Sequence, residues 1–356
     1  MNITSTLGRA AGSRRLVLER ITIIGMSPLG ASIGLALMRA RLRNTEIIGT
    51  SVDRNSLTTA AKMGAMDKAI SRLRNAVEGA QLVIIDTPLT ETRDALELVA
   101  STAPDGCVVT DTGAAKVRVL EWAQEVLPPN ISFVGGHPLT KTPLASLDDA
   151  SASAFEGVDY CLIPSSNAEG EALRTVVGLV ERLGAKPLFL DAKEHDSYAA
   201  AMTYLPIVLS SAFVTATTQG DGWREMHRMA ASEFGEVSRY AGNDPLDNEV
   251  ASRASPEELV HWLDKMITTL YSYRNQIKED SDGLLNAFVK AWEARARWEA
   301  NAVVSSDSPG LPSSGQTMAS AFLGDRLANR MREFGGGGKE EPNKKFQYFG
   351  RHKSSG

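Results

Sequence analysis

Short apolar runs that suit β-strands alternate with helical stretches along the first half of this 356-residue chain. Helical stretches lie between several of the runs, as at residues 32–40 and 56–63. Alternating strands and helices favour a parallel sheet that is covered by helices on both faces. The first half is therefore predicted to be an α/β domain. Its strands are predicted at residues 21–25, 46–49, 82–86, 108–111, 132–134, 159–163 and 186–190.

The pattern changes at about residue 192, where helical periodicity replaces the strand signals and continues to about residue 299. After residue 303 the chain is rich in Ser, Pro, Gly and charged residues, which cannot bury enough apolar surface to order themselves. One short amphipathic helix is predicted there, at residues 317–334. The predicted organisation is an N-terminal extension, an α/β domain, a helical domain and a mostly disordered tail, at residues 1–19, 20–191, 192–302 and 303–356.

The stretch ITIIGMSPLGASIGLAL begins as a strand, turns sharply and continues as a helix. Gly25 permits the tight turn, and Gly30 permits close packing of the helix on the strand. The free N–H groups and the dipole of the helix would bind the pyrophosphate of a dinucleotide. Ser27 stands where the middle glycine of such a motif usually lies. Leu29 is the remaining cofactor-binding candidate in the turn.

The residues after the second predicted strand indicate which nicotinamide cofactor the chain would use. An acidic residue at this point binds the ribose 2′-hydroxyl of NAD, whereas a basic residue accommodates the 2′-phosphate of NADP. Asp53 lies two residues beyond the expected position of the acid, while Ser51 and Arg54 together suit a phosphate. The cofactor is therefore predicted to be NADP or NAD, with NADP favoured.

His137 follows a strand-like run, in the segment FVGGHPLTKTP. Strand C-terminal ends face the ligand crevice in an α/β sheet, and Gly135 and Gly136 would let the backbone pass close to a ligand. A histidine there suits general-base chemistry because it exchanges a proton near neutral pH. Thr140 and Thr142 add hydroxyl groups.

Composition argues against several other classes of protein. The net charge is only -5, and no basic block with interleaved aromatic residues supports nucleic-acid binding. Cys107 and Cys161 occur in apolar surroundings and are expected to be reduced core thiols. No spacing of His, Cys, Asp and Glu suggests a metal site. His227 and His261 lie in charge-rich helical text and are expected to be structural or surface residues.

The N-terminal segment MNITSTLGRAAGSRRLVLER lacks the apolar stretch of a secretory signal. We also expect no run long enough to span a bilayer. A cytoplasmic location is the resulting expectation.

A series of motifs extends over residues 20–250: IIGMSPLGASIG, GAMD, IIDTPL, VTDTGAAK, FVGGHPL, FEGVDYCLIP, EHD and SEFGEVSRYAGNDP. In this order they resemble the prephenate and arogenate dehydrogenases of tyrosine biosynthesis. The GGHP segment and the spacing F-x-x-x-x-R-x-A-x-x-D-P are the specific parts of the resemblance, because the glycine motif alone fits many dehydrogenases.

The resemblance implies a Rossmann-type dinucleotide-binding domain followed by an all-helical domain through which two copies dimerise. It also implies an oxidative decarboxylation. NAD(P)+ takes a hydride from ring carbon C4 of a small-molecule substrate, the ring carboxylate leaves as CO2, and the ring becomes aromatic.

The resemblance also implies roles for individual residues. His137 matches the histidine that takes the proton of the C4 hydroxyl, and Arg239 matches the arginine that binds a substrate carboxylate. His195 and Asp196 match a family pair that is as often a structural cap as part of the site. The matches on the cofactor side of the cleft are Thr87, Pro88, Asp111 and Gly113, with Lys116 closing the same motif.

Several positions depart from the family pattern. Ala114 replaces a serine, so a hydroxyl group near the nicotinamide and the substrate is missing. The family segment S-H-L-P-H reads Thr-Tyr-Leu-Pro-Ile at residues 203–207, which removes both histidines. Tyr204 could supply a phenol hydroxyl in their place, and with Arg239 and Thr142 it completes the predicted substrate-binding set. The identity of the substrate, prephenate or arogenate, stays open.

Two other functions remain open on the sequence. A non-catalytic relative that binds a dinucleotide or a metabolite would explain the replaced residues. A related hydroxyacid dehydrogenase could use Lys141 or Lys116 as its proton-transfer group.

Overall fold

The structure is a computed structural model that describes residues 19–140, 142–165, 168, 170–279 and 283–300. Its strands are β1 (Glu19–Ile24), β2 (Thr45–Thr50), β3 (Lys68–Ala69), β4 (Leu82–Ile85), β5 (Val108–Asp111), β6 (Ser132–Pro138), β7 (Asp159–Pro164) and β8 (Lys186–Phe189). The helix predicted at residues 317–334 and the predicted tail lie outside the described residues.

The helices follow the strands in the first half and then continue alone. They are α1 (Pro28–Ala40), α2 (Arg54–Lys62), α3 (Leu73–Val77), α4 (Leu89–Ala100), α5 (Lys116–Val126), α6 (Gly170–Arg182), α7 (Ala192–Ala199), α8 (Leu205–Thr218), α9 (Trp223–Met226), α10 (Ser232–Ser238), α11 (Pro245–Ser252), α12 (Pro256–Lys278) and α13 (Gly283–Glu299). A π-helical turn, Ala200–Tyr204, joins α7 to α8. Single 3-10 turns are Leu147–Asp149, His227–Met229 and Arg239–Gly242.

The described strands form one sheet in the order β3-β2-β1-β4-β5-β6-β7-β8. This arrangement confirms the α/β prediction and brings the C-terminal ends of β1, β2, β4 and β5 to one edge. The pairing of β6 with β7 is antiparallel, whereas a parallel sheet was predicted. The reason is the connection, since a parallel pair needs a long crossover and the described residues between these strands form only a 3-10 turn.

Helices cover both faces of the sheet because neighbouring strand residues point to opposite sides. Ile23 belongs to the core cluster that includes Ile33 and Leu37 of α1. Ile24 belongs to the opposite cluster, together with Leu96 of α4 and Val119 of α5. Each of these side chains is almost fully buried, and each such burial contributes roughly 1.5–3 kcal/mol to stability. The cores hold fixed the sheet edge at which the candidate site lies.

The chain forms two compact units, one ending at Ser272 and the other beginning at Tyr273. The first unit contains the whole sheet, the helices from α1 to α11 and most of α12. In the second, the rings of Tyr273 and Phe288 pack edge to face with their centroids 5.4 Å apart. The domain boundary predicted at residues 191 and 192 falls inside the first unit, between β8 and α7, and stays a prediction.

One helical run does reach the length that a bilayer requires, so the sequence expectation on this point was wrong. Residues Ala192–Thr218 continue through the π-helical turn as one segment with a mean hydropathy of 1.6. Length and composition are the only basis for this finding, and a core helix of a soluble protein passes the same test.

Candidate active site

His137 lies near the C-terminal end of β6, directly after two glycines. A Cβ atom on Gly136 would lie 2.6 Å from the backbone oxygen of Asp111, so only glycine lets β6 pass this close to β5. A Cβ atom on Gly135 would lie 3.2 Å from the Cδ atom of Lys116. The two glycines therefore permit a close approach of protein atoms, whereas the sequence suggested the approach of a ligand.

A chain of hydrogen bonds links His137 to two buried residues of α7. The Nδ1 atom of His137 lies 2.9 Å from Nε2 of His195, and Nδ1 of His195 lies 2.9 Å from Oδ1 of Asp196. His195 and Asp196 are each only 2% exposed. The structure thus places this pair in the site.

The hydrogen-bond chain assigns the protons of both rings. The Asp196 carboxylate can only accept, so Nδ1 of His195 carries a proton and its Nε2 accepts. His137 then donates from Nδ1, which leaves the lone pair of its Nε2 atom free to take a proton. This is the tautomer that a general base requires.

The surroundings of His137 keep its ring neutral. Burial lowers the pKa of His137 well below its usual value of 6.5, and the positive charge of Lys116 lowers this pKa further. A neutral ring near pH 7 is ready to accept a proton.

Asp196 has a second role, which is to cap a helix of the α/β half. Its carboxylate accepts the backbone N–H groups of Lys116 at 2.8 Å and Val117 at 2.9 Å, at the start of α5. The residue before α5 is Ala115, which has no side chain able to cap. A carboxylate at a helix N-terminus is favourable because it pairs with unsatisfied donors and with the helix dipole. The same carboxylate therefore fixes α5 and the histidine pair.

Beside His137, a buried ion pair joins β5, β6 and α5. The Nζ atom of Lys116 lies 2.6 and 2.5 Å from the two carboxylate oxygens of Asp111 and 2.6 Å from the carbonyl oxygen of Gly136. Asp111 also accepts the N–H groups of Gly136 and Gly113, both at 3.1 Å. The three protons of Lys116 are thus engaged, which gives no support to Lys116 as the proton-transfer group. Lys141, the other candidate, lies outside the described residues.

The glycine-rich turn begins at Gly25, whose φ angle of 98° is one that residues with side chains rarely adopt. A Cβ atom here would lie 1.9 Å from the backbone oxygen of Asp86. Ser27 caps α1, and its hydroxyl accepts the N–H groups of Leu29 at 3.1 Å and Gly30 at 3.3 Å. Serine at the middle position of the motif is therefore a helix cap in this chain.

Asp86 follows β4 and holds this turn, and the sequence did not single it out. Its Oδ2 atom accepts the N–H groups of Ser27 at 3.1 Å and Gly30 at 3.0 Å, and its Oδ1 atom lies 2.9 Å from the hydroxyl of Thr112. Burial raises the pKa of Asp86 to about 6, although these hydrogen bonds oppose the shift. The available signal was an acid directly after the apolar run LVII.

A cavity of about 530 Å³ opens beside the glycine-rich turn. Of the predicted cofactor residues, Gly25, Ser27, Ser51, Thr87 and Pro88 line it. Leu29, Gly30, Arg54, Asp111 and Gly113 are not among its lining residues. The remaining lining residues are Ile24, Met26, Val52, Asp53, Ser56, Leu73, Asp86, Glu91, Asp94, Ala95 and Leu98. The cavity extends from β2 to α4 across the end of β1, where a dinucleotide fold holds its cofactor.

The predicted substrate residues differ in their surroundings. Tyr204 is 3% exposed, and burial raises the pKa of its hydroxyl, with the charges of Asp196 and Asp111 adding to this effect. Arg239 is exposed and stacks over the ring of Tyr240 at 4.2 Å. Thr142 is exposed as well. Within the described residues, no contact joins Arg239 or Thr142 to the histidine pair.

Ala114 and Ile207, two of the departures from the family pattern, pack against the same small core as Tyr204.

Within the described part of the chain, no group of His, Cys, Asp and Glu residues could hold a metal ion. His227 is exposed and packs against Trp223, at a ring distance of 6.3 Å.

Family models match most of the chain. The nucleotide-binding domain of prephenate dehydrogenase matches residues 33–188, and the dimerization domain of prephenate dehydrogenase matches residues 191–290. A prephenate dehydrogenase of Lactococcus lactis is 28% identical over 290 residues, which is 79% of this chain and 78% of that protein.

Solved structures share the fold. A prephenate dehydrogenase from A. aeolicus, in complex with hydroxyphenyl propionate and NAD+, has a TM-score of 0.70 at 19% identity and covers 80% of this chain and 99% of its own. An arogenate dehydrogenase of Synechocystis has a TM-score of 0.61 at 24% identity, with coverage of 78% and 99%.

Proposed function

The chain belongs to the prephenate dehydrogenase family, and we propose that it oxidises and decarboxylates prephenate or arogenate with a nicotinamide cofactor. The observation that carries this proposal is the hydrogen-bond chain from His137 through His195 to Asp196. It supplies a neutral base at the end of β6, on the sheet edge that also bears the cavity beside the glycine-rich turn.

A bound nicotinamide would supply the acceptor for the hydride of ring carbon C4. His137 Nε2 takes the proton of the C4 hydroxyl, and the negative charge that develops on that oxygen favours departure of the hydride. The Nδ1 proton of His137 moves to Nε2 of His195, where the Asp196 carboxylate stabilises the positive charge. Loss of the ring carboxylate as CO2 makes the ring aromatic, and the proton returns to the phenol oxygen.

The missing serine hydroxyl fits this mechanism. Position 114 carries a methyl group that packs against the core of Tyr204, and His137 is oriented by its hydrogen bond to His195. The proton acceptor of the proposed reaction is therefore complete without a hydroxyl group at position 114. This observation favours the enzyme over the non-catalytic relative.

The residues at the end of β2 suit NADP better than NAD. Asp53 caps α2, and its carboxylate already accepts the N–H groups of Asn55 and Ser56 and the hydroxyl of Ser56. Few of its lone pairs are left for a ribose hydroxyl. Ser51 lines the cavity, and Arg54 begins α2, close enough in sequence to meet a 2′-phosphate.

The substrate is bound through a carboxylate at Arg239, with Tyr204 and Thr142 around the side chain of the substrate.

A homodimer forms through the region that matches the dimerization domain, where Met202, Ile267 and Leu270 are exposed apolar side chains. We assign the protein to the cytoplasm, as a biosynthetic enzyme of small soluble substrates.

The test is the absorbance of the reduced nicotinamide with purified full-length protein, prephenate or arogenate, and NAD+ or NADP+ in each combination. We expect turnover in at least one mixture, and a fall in kcat of about 10²–10⁴-fold for His137→Asn. His227→Asn, which changes an exposed histidine, is the matched control and keeps the wild-type rate. No turnover in any mixture, with cofactor binding intact, would overturn the proposal.

A further inference from the structure

The cavity beside the glycine-rich turn has an unusual charge for a site that would hold a pyrophosphate. Four carboxyl groups line it, on Asp53, Asp86, Glu91 and Asp94, and none of its lining residues is Lys or Arg. A pyrophosphate brings two further negative charges. Like charges at short range repel, and burial strengthens the repulsion.

Asp86 is the buried member of this set, and it holds the groups that would bind the pyrophosphate. At the start of α1, Pro28 has no N–H group and the N–H of Leu29 is held by the Ser27 hydroxyl. The N–H groups of Ser27 and Gly30 are both held by Asp86 Oδ2. An internal carboxylate thus occupies the N-terminus of α1, where a bound anion would lie.

The hydrogen bonds around Asp86 fit both of its charge states. When Asp86 is ionised, the Thr112 hydroxyl donates to Oδ1 at 2.9 Å. When Oδ1 carries a proton, that proton donates to Thr112, whose own hydroxyl turns to the carbonyl oxygen of Ile85 at 3.5 Å. Oδ2 accepts from Ser27 and Gly30 in either state, so a proton removes the charge without breaking the turn.

The other groups near Asp86 do not supply a positive charge. On β7, Tyr160 lies within electrostatic range, since the negative charge of Asp86 contributes to the raised pKa of Tyr160. The remaining neighbours with polar side chains are Ser27 of the turn and Thr112 after β5. Glu91 and Asp94 of α4 and Asp53 before α2 are acids. Within the described residues, no Lys, Arg or His contacts the Asp86 carboxyl.

We infer that Asp86 controls the affinity for the cofactor: the dinucleotide binds when the Asp86 carboxyl is protonated, so that binding to the ionised protein takes up one proton for each cofactor molecule. This inference rests on the proposed function only in that a dinucleotide occupies the cavity. The charge of Asp86, and not its shape, limits the binding of the cofactor near neutral pH.

The direction of the pH dependence follows from linkage. The carboxyl has a pKa of about 6 without cofactor, and the phosphate charges raise this pKa in the complex. The affinity is therefore constant below pH 6 and falls as the pH rises above it, by at most about tenfold per pH unit for one proton. His137 does not produce this dependence, because its pKa lies well below 6.5.

The experiment is a calorimetric titration of the full-length protein with NAD+ and with NADP+ across this pH range. Buffers with different ionisation enthalpies report the number of protons taken up. Asp86→Asn keeps the acceptor for Ser27 and Gly30 but has no charge. Glu91→Gln, which neutralises an exposed acid of the same cavity, is the matched control.

For the wild type and Glu91→Gln, we expect proton uptake that is absent in acid and approaches one above pH 6, with an affinity that falls over the same rise in pH. For Asp86→Asn we expect no uptake, a flat profile and tighter binding than the wild type above pH 6. Binding without proton uptake in the wild type overturns the inference and leaves the proposed function intact, even where Asp86→Asn fails to fold. No binding of either cofactor at any pH overturns both.

Discussion

The Nδ1 atom of His137 and the Nε2 atom of His195 lie 2.9 Å apart, although 58 residues separate them in the chain. Their rings are nearly perpendicular, at 75°. Because Asp196 fixes the proton of His195, this contact leaves only one tautomer for His137. The base of the proposed reaction is thus oriented by a residue from the helical half of the chain.

Replacing His195 should slow the chemical step more than it weakens substrate binding. His195→Leu removes the acceptor for His137 Nδ1, and we expect kcat to fall by about 10²-fold with little change in KM. His195→Gln offers an amide oxygen to the same atom and should retain more of the rate. Steady-state kinetics of both variants test this. Equal losses in the two variants would contradict a positioning role for His195.

The dependence of kcat on pH should follow the depressed pKa of His137. The base acts when its ring is neutral, so activity is lost as the pH falls through this pKa, which lies well below 6.5. The profiles are measured at saturating cofactor, so that Asp86 does not contribute. A wild-type kcat that declines with falling pH while the pH is still above 6.5 would refute the assignment.

Lys116→Met should destabilise the protein strongly, because it leaves Asp111 buried and unpaired. Both side chains are at most 2% exposed, and breaking such a pair costs about 3–5 kcal/mol in the free energy of unfolding. The double variant Lys116→Met and Asp111→Leu should be more stable than the single one. Urea unfolding measures both. A single variant as stable as the wild type would show that the pair is not buried.

Asp86→Asn should stabilise the protein at neutral pH. The folded pKa of Asp86 is about 6 against an ordinary value of 3.8, so its contribution is fully present below pH 3.8 and is lost as the pH rises to about 6. The free energy of unfolding should rise by about 3 kcal/mol in the variant above pH 6. Urea unfolding at several pH values measures this gain, which should vanish in acid. A constant difference between the two proteins would contradict it.

Arg54→Ala should weaken the binding of NADP+ and leave that of NAD+ unchanged. The guanidinium pairs with the 2′-phosphate, and loss of a charged hydrogen bond costs about 1.5–3 kcal/mol, or roughly 10–150-fold in Kd. Arg43→Ala, at the opposite end of β2, is the matched control. Equal losses for both cofactors would show that Arg54 does not recognise the 2′-phosphate.

The sequence by itself determined the α/β class, the glycine-rich turn and the position of His137 near the end of a strand. Each of these depends on local periodicity or on a residue with a unique backbone requirement, such as Gly25. Five of the predicted cofactor residues line the cavity for the same reason, since strand ends and turns are visible in sequence. The motif series also indicated the family.

Only the tertiary structure decided how the site is held together. Asp196 caps α5 from 80 residues further along the chain, and Asp86 holds the N–H group of Gly30 from 56 residues away. In the sequence, Lys116 is only the last residue of a motif. In the fold it lies on α5 and donates to the carbonyl oxygen of Gly136 on β6. These contacts depend on the order of strands in the sheet and on the antiparallel pairing of β6 with β7. Local periodicity in a sequence shows where strands and helices lie. The distances between side chains on different elements are set only when the sheet packs and brings the ends of its strands to one edge.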